Sequence, residues 1–131
     1  MTPPAVARGL YSDVIRHRWR HPRFRGELAD ANAVAEDVNP LCGDRVRIHL
    51  RIDGDRVSAA RFTGDSCAIC AASADVVSER VTGRRVSEAA RLDVTDVLEV
   101  LDADIRPTRM RCVTLPIGVL HTALGAAGGP R

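Results

Sequence analysis

The chain of 131 residues predicts an α+β fold in which a small three-stranded antiparallel sheet has helices packed on one face. The sheet is indicated by residues 45–63, which alternate apolar and polar side chains on both sides of a DGD turn. The helices are indicated by a change to helical spacing from Cys67 onward. The length suits one domain over residues 1–131, with a core at about 8–124 and flexible ends.

The N-terminal part is predicted to form a helix over residues 7–20. Leu10, Val14 and Trp19 follow one another at near-helical spacing, and a proline comes soon after. The opposite side of this helix is rich in arginine and histidine. We interpret it first as a solvated face and second as a docking face for an acidic partner.

A strand at about 32–38 is expected to pair with the hairpin and to complete the sheet. The first hairpin strand has one apolar and one basic face, which is typical of an antiparallel sheet covered on one side only. The apolar face consists of Val46, Ile48, Leu50 and Ile52, and the basic face of Arg45, Arg47, His49 and Arg51. The second hairpin strand is expected at 56–63.

The alanine-rich residues that follow Cys67 predict a closely packed helix with Gly83 at its C-terminal cap. Its apolar face is expected to consist of Ile69, Ala72, Val76 and Val77. Two short helices should follow, with Ser87 and Asp93 as N-caps. A final helix is expected to carry Pro116 in its first turn, and the tail GAAGGPR is expected to be disordered.

The composition excludes several classes of function. The net charge is +2, and only 3% of the residues are aromatic, so a nucleic-acid partner is not expected. The chain contains no lysine, which rules out Schiff-base chemistry on its own side chains. No apolar run is long enough for a signal peptide or a membrane span. We therefore expect a cytoplasmic protein with reduced cysteines and no membrane partner.

The four cysteines admit four interpretations. Structural disulfides are disfavoured in a cytoplasmic chain of this size. A redox dithiol would use Cys67 and Cys70, with the helix start lowering the pKa of Cys67, although the CAIC motif follows a hairpin and not a βαβ unit. Buried packing is the interpretation we favour for Cys70, one turn into the helix. It fits Cys112 poorly, because Arg109 and Arg111 are expected to favour its thiolate.

The fourth interpretation is a metal site built from separate loops. In NPLCGD, Gly43 allows Cys42 and Asp44 to turn toward one ion. Cys67 at a helix N-terminus and Cys112 before the last helix would complete a set of three thiolates and one carboxylate. The spacings match no local zinc-finger pattern, so the residues alone leave this site open beside the other interpretations.

Four motifs follow one another along the chain: LYSDVIRHRWRHPRFRGEL, NPLCGD, IDGDRVSAARFTGDSCAICAAS and RMRCVTLP. They resemble, in this order, the opening helix with its Pro-Arg loop, the first ligand loop, the hairpin before the second cysteine, and the third-cysteine segment of the IscU/SufU family. These are iron–sulfur cluster assembly proteins and include the N-terminal domain of NifU. The resemblance extends from Leu10 to Leu124.

The resemblance implies that Cys42, Asp44, Cys67 and Cys112 are the ligands. In the SufU branch they would hold Zn²⁺, and a cysteine desulfurase would pass a persulfide to Cys42, which makes the chain a sulfurtransferase. In the IscU branch they would assemble a [2Fe–2S] cluster for downstream iron–sulfur acceptor proteins, with Cys112 as the alternative persulfide acceptor. A carboxylate is a harder and weaker ligand for such a soft site, so the ion or cluster could be opened and passed on.

The chain combines features of both branches. It resembles IscU in lacking the insertion that SufU proteins carry between the second and third cysteines. It resembles SufU in having Arg111 before the third cysteine and no chaperone-recognition segment. Ser66 and Cys70 differ from the residues common in the family. The four histidines, His17, His21, His49 and His121, are interpreted as surface or packing residues, and a thiol-redox protein using Cys67 and Cys70 is the alternative function.

Overall fold

A computed structural model describes residues 12–128 of the chain, with side chains described through residue 125. The helices are α1 (Asp13–Arg20), α2 (Ala68–Val81), α3 (Val86–Ala89), α4 (Val94–Leu101) and α5 (Met110–Gly128). The strands are β1 (Ala33–Val38), β2 (Arg45–Asp53) and β3 (Arg56–Thr63). A 3-10 turn, Pro107–Arg109, leads directly into α5.

The three strands form an antiparallel sheet in the order β1-β2-β3, as expected. Leu50 lies opposite Ala33 of β1, and Ile48 lies opposite Phe62 of β3. These side chains are buried against α2 and α5, whereas the arginines that alternate with them in β2 remain at least partly exposed. The predicted α+β architecture, with helices covering one face of the sheet, is therefore confirmed.

Helix α2 is the centre of the packing and is buried almost all round. Eleven of its 14 residues are buried, so the predicted apolar residues are buried as expected but the buried surface extends well beyond that one face. Alanine and serine side chains are small enough for α1, α4, α5 and β3 to approach from several directions. Helix α2 begins after Cys67, as expected, and Gly83 follows it with a φ of 84°.

Helix α1 differs in part from the prediction. It begins at Asp13 with Ser12 as N-cap, and Leu10 with the rest of residues 7–11 lies outside the described part of the chain. Ile15 is fully buried, whereas Trp19 is 49% exposed. Trp19 is therefore not part of the apolar face, because the side of α1 that meets α2 is occupied by Ile15 and by the stem of Arg18.

The carboxylate of Asp75, in the middle of α2, holds the N-terminal segment in place. Its Oδ2 pairs with Nη1 of Arg18 at 2.7 Å, and its Oδ1 accepts from the backbone N–H groups of Arg23 and Phe24 at 3.0 and 2.9 Å. Arg18 also contacts Glu79 through Nη2, at 2.6 Å. The buried acid thus fixes both α1 and the loop after it on α2.

Two predicted helix starts were wrong. Helix α3 has Arg85, and not Ser87, at its N-cap position, whereas Asp93 caps α4 as predicted by accepting from two backbone N–H groups. Helix α5 begins at Met110, so Pro116 lies inside it, and the helix continues to Gly128 through residues expected to be disordered. Pro107 already opens the preceding turn, and buried side chains along α5 outweigh the poor helix propensity of Pro116.

Among the described residues, no helix is both long and apolar enough to cross a membrane.

Candidate metal centre

The loop between β1 and β2 holds the first two predicted ligands in a tight turn. The carbonyl of Asn39 accepts from the N–H groups of Cys42 and Gly43, at 3.3 and 2.7 Å. Gly43 has a φ of 80°, a conformation that glycine adopts without strain. As a result, Cys42 is exposed at the tip of the loop while Asp44 is 95% buried at its base, with 5% of its surface accessible.

The segment from Gly64 to Cys67 packs directly against this loop. The N–H of Arg45, the residue after Asp44, donates to the carbonyl of Asp65 at 2.8 Å. Gly64 has a φ of 135°, and a Cβ there would collide with the backbone carbonyl of Arg45. Only glycine therefore allows the two ligand-bearing segments to come this close.

Cys67 is the N-cap of α2 and is tied to Asp44. Its N–H donates to Oδ1 of Asp44 at 2.9 Å, while its Sγ accepts from the N–H of Cys70 at 3.4 Å. The cap places the sulfur at the helix start, and the hydrogen bond fixes the orientation of the carboxylate. The prediction that Cys67 lies at a helix N-terminus is thus confirmed.

Cys112 comes from the first turn of α5 and not from a loop before the last helix, which corrects the expectation. Its sulfur, the sulfur of Cys42 and a carboxylate oxygen of Asp44 all lie within 4.8 Å of one another. Cys67 is not in this three-residue group, but its side chain is hydrogen-bonded to that of Cys112. Side chains from three segments that are distant in sequence therefore meet at one end of α2 and α5.

The chemistry of this cluster fits a metal ion. Among the described residues, Asp44 Oδ2 is a buried oxygen with no hydrogen-bond partner. Such an atom is rare in folded proteins and costs free energy unless a ligand satisfies it. Thiolates together with one carboxylate form a donor set that zinc accepts.

Arg109 lies beside the sulfurs and is hydrogen-bonded to both Cys112 and Cys67, contacts that raise the pKa of its guanidinium. Burial nevertheless raises the pKa of Cys112 to about 12, although Arg109 acts in the opposite direction. Arg109 thus favours the thiolate of Cys112 as expected, but the desolvation caused by burial is the larger effect. Arg111 is exposed.

Cys70 is fully buried, and burial together with the negative charge of Asp44 raises the pKa of its thiol. Its side chain belongs to the hydrophobic core, as the packing interpretation predicted. All four cysteines are free in this structure. No contact described here favours a redox pair of Cys67 and Cys70 over this packing role.

The sheet with its one-sided helical layer, and a cluster of cysteines and an aspartate at one end, define the chain as an α+β protein with a candidate cysteine–carboxylate metal site. Residues 10–127 match the family described as NifU-like N terminal domain, and the chain belongs to this family. The resemblance noted in the sequence is thereby confirmed.

Curated relatives cover nearly the whole chain. The zinc-dependent sulfurtransferase SufU of Bacillus subtilis strain 168 is 31% identical, and the match covers 92% of each protein. The iron–sulfur cluster assembly scaffold protein IscU of Thermotoga maritima is 30% identical over 95% of this chain and 99% of its own length. Both predicted branches of the family are thus represented at similar identity.

Solved structures share the fold. A crystal structure from Fervidobacterium islandicum AW-1, described as an iron–sulfur cluster assembly scaffold protein for the SUF system, superposes with a TM-score of 0.76 at 30% identity, covering 88% of this chain and 96% of that one. The N-terminal part of a NifU-like protein from Brucella abortus has a TM-score of 0.74 at 19% identity, over 93% and 96% of the two chains, and supports the fold alone.

Proposed function

We propose that this protein accepts sulfur from a cysteine desulfurase for iron–sulfur cluster assembly, with Cys42 as the persulfide acceptor. Cys42, Asp44, Cys67 and Cys112 would hold a zinc ion. The observation that carries the proposal is the exposed sulfur of Cys42 within 4.8 Å of the buried Asp44 carboxylate and the buried Cys112 sulfur.

Exposure separates the role of Cys42 from that of Cys112. Cys42 lies at the tip of a turn, where the active-site cysteine of another protein can reach it. Cys112 is only 4% exposed, so it is suited to hold an ion and poorly suited to meet a partner. Asp44 is fixed by the N–H of Cys67 and supplies the harder and more easily displaced ligand.

The sulfur transfer is an exchange between thiols and involves no net oxidation or reduction. The thiolate of Cys42 attacks the outer sulfur of the desulfurase persulfide and forms a new S–S bond. The old S–S bond breaks, and the cysteine of the desulfurase leaves as a thiolate. Bound zinc would keep the ligand thiols deprotonated until one of them is released.

A scaffold role is the second candidate, because a 30% identical IscU scaffold protein aligns over 99% of its length. In that role the same four residues would assemble a [2Fe–2S] cluster as cargo, and Cys112 would be the alternative persulfide acceptor. Downstream acceptor proteins would then take the cluster. Either role requires reduced thiols, so we place the protein in the cytoplasm beside its desulfurase.

The first test is metal analysis of the purified protein. We expect about one tightly bound zinc per chain, lost in Cys67→Ser and kept in Cys70→Ser, the matched control one turn along the same helix. Asp44→Asn should bind zinc about tenfold or more weakly, whereas Asp65→Asn, at an exposed neighbouring position, should not. A reconstituted chain that binds neither zinc nor iron would contradict both candidate roles.

The second test separates carrier from scaffold. The protein is mixed with a cysteine desulfurase and free cysteine, and the sulfur added to each cysteine is located by mass spectrometry. A persulfide on Cys42 with faster desulfurase turnover indicates the carrier, and a stable visible chromophore after addition of iron and sulfide indicates the scaffold. Unchanged turnover with no persulfide on any cysteine would refute the proposed sulfur transfer.

A further inference from the structure

Two histidines on α1 lie apart from the cysteine cluster. His17 and His21 are one helical turn apart and both are exposed. Their ring centroids are 5.4 Å apart, and the ring planes are tilted by 47°. They line one groove together with two acids, Asp13 and Asp75, and two arginines, Arg18 and Arg23. Asp75 lies eight residues beyond Cys67 in sequence and therefore about 12 Å further along α2.

This ring geometry is close to that of a metal chelate. Imidazole nitrogens bind zinc at about 2.0–2.1 Å, so the centres of two rings on one tetrahedral ion are about 5 Å apart. Residues at i and i+4 lie on the same face of a helix, which is how helical metal sites present two histidines to one ion. The 5.4 Å between the two ring centroids in the structure is close to this value.

The charges around the two histidines oppose cation binding less than the arginine-rich sequence of this segment suggests. Arg16 pairs with Asp13, and Arg18 pairs with Asp75 and Glu79. The two histidines lie in the last turn and C-cap of α1, the end at which helices favour positive charge. Because other exposed arginines remain nearby, the ion should bind more weakly here than at the cysteine cluster.

The helix that carries the pair is firmly anchored. The hydroxyl of Ser12 donates to the carbonyl of Leu101 at 2.5 Å, Ile15 is fully buried, and Arg18 is held by Asp75. Such anchoring reduces the entropy lost when an ion fixes the two exposed rings. We propose that His17 and His21 form a second, solvent-facing site for a divalent transition metal of the imidazole-binding class, such as Ni²⁺, Cu²⁺ or Zn²⁺.

The test uses the untagged, zinc-loaded full chain and Ni²⁺ as the probe. Ni²⁺ is titrated by calorimetry, and its paramagnetic broadening of the four histidine ring signals is followed by NMR. The ring signals of His17 and His21 should broaden first. His17→Gln and His21→Gln should each weaken Ni²⁺ binding by at least about tenfold, because one ligand remains of two. His121→Gln is the matched control, since it removes another exposed histidine.

Zinc released during the titration is measured at the same time, which separates this site from the cysteine cluster. Cys42→Ser should leave the Ni²⁺ affinity of the histidine pair unchanged, and His17→Gln should leave sulfur acceptance by Cys42 unchanged. Equal broadening of all four histidines, or an unchanged Ni²⁺ affinity in both His→Gln variants, would overturn the proposal.

Discussion

Replacement of Asp75 by alanine should destabilise the fold more than the loss of any other ion-pair partner of α1. The side chain of Asp75 is 1% exposed, and that of its partner Arg18 is 18% exposed. Alanine would leave the guanidinium with Glu79 as its remaining acidic partner in this network. It would also remove the acceptor of two backbone N–H groups, those of Arg23 and Phe24.

The size of the effect follows from these contacts. Removing one partner of a buried ion pair lowers the free energy of unfolding by about 3–5 kcal/mol. We expect a loss of this size for Asp75→Ala, because two backbone N–H groups also lose their charged acceptor. For a chain of this length, roughly 3 °C in Tm corresponds to 1 kcal/mol, so Asp75→Ala should lower Tm by roughly 9–15 °C. Glu79→Gln should cost less than about 1 kcal/mol, because Glu79 is 39% exposed.

The measurement is urea unfolding of both variants, followed by circular dichroism at one fixed zinc-to-protein ratio, since bound metal itself stabilises the folded state. Asp75→Asn is an informative intermediate, because its amide oxygen still accepts from the backbone but no longer carries charge. If Asp75→Ala costs no more than Glu79→Gln, the carboxylate is not the tether described here.

Three further changes test other parts of the structure. Gly64→Ala should lower the free energy of unfolding by roughly 1–3 kcal/mol and weaken zinc binding, because its Cβ would collide with backbone atoms. Gly54→Ala is the control, since a Cβ there meets open space, and it should leave zinc affinity unchanged. Equal zinc affinity in the two variants would refute this. Cys70→Ser should keep sulfur acceptance but unfold at lower urea, because it buries a hydroxyl; an undiminished urea midpoint would argue against its core position. Burial and the charge of Arg47 lower the pKa of His49, so the free energy of unfolding should fall as the pH drops below 6.5, where the unfolded state takes up the proton first. That fall should be smaller in His49→Gln, and identical pH profiles for the two proteins would contradict it.

The sheet was predictable from the sequence because strict alternation of apolar and polar residues has one structural solution. The same holds for the turn at Gly43, which requires a residue tolerant of positive φ between two ligands. The meeting of Cys112 with Cys42 was not derivable from local patterns, because it depends on the packing of α5 across the sheet. The residues alone left a site containing both cysteines as one of several open interpretations, and the resemblance to the IscU/SufU family singled it out.

The errors have a common physical origin in tertiary packing. Pro116 was interpreted as a helix start because local propensity disfavours it elsewhere, yet the buried residues along α5 stabilise the helix on both sides of it. Trp19 was assigned to the apolar face from its hydrophobicity alone. In the structure Arg18, which pairs with Asp75, covers this part of α2 instead. Asp75 went unnoticed, although an acid within an otherwise apolar helix, beside an arginine-rich one, is a signal of a buried ion pair.

Pro116 also affects the hydrogen bonding of the turn that carries Cys112. A proline has no N–H, so the carbonyl of Cys112, four residues earlier in α5, receives no helical hydrogen bond from it. The first turn of α5 is therefore joined to the rest of the helix by one bond fewer than an uninterrupted helix would have. Local opening of this turn requires less free energy than opening of the helix beyond it. Cys112 thus lies in the turn of α5 that has one helical hydrogen bond fewer, and burial of Cys112 and Val113, with the bond from Ser73 to the carbonyl of Val113, holds that turn against α2.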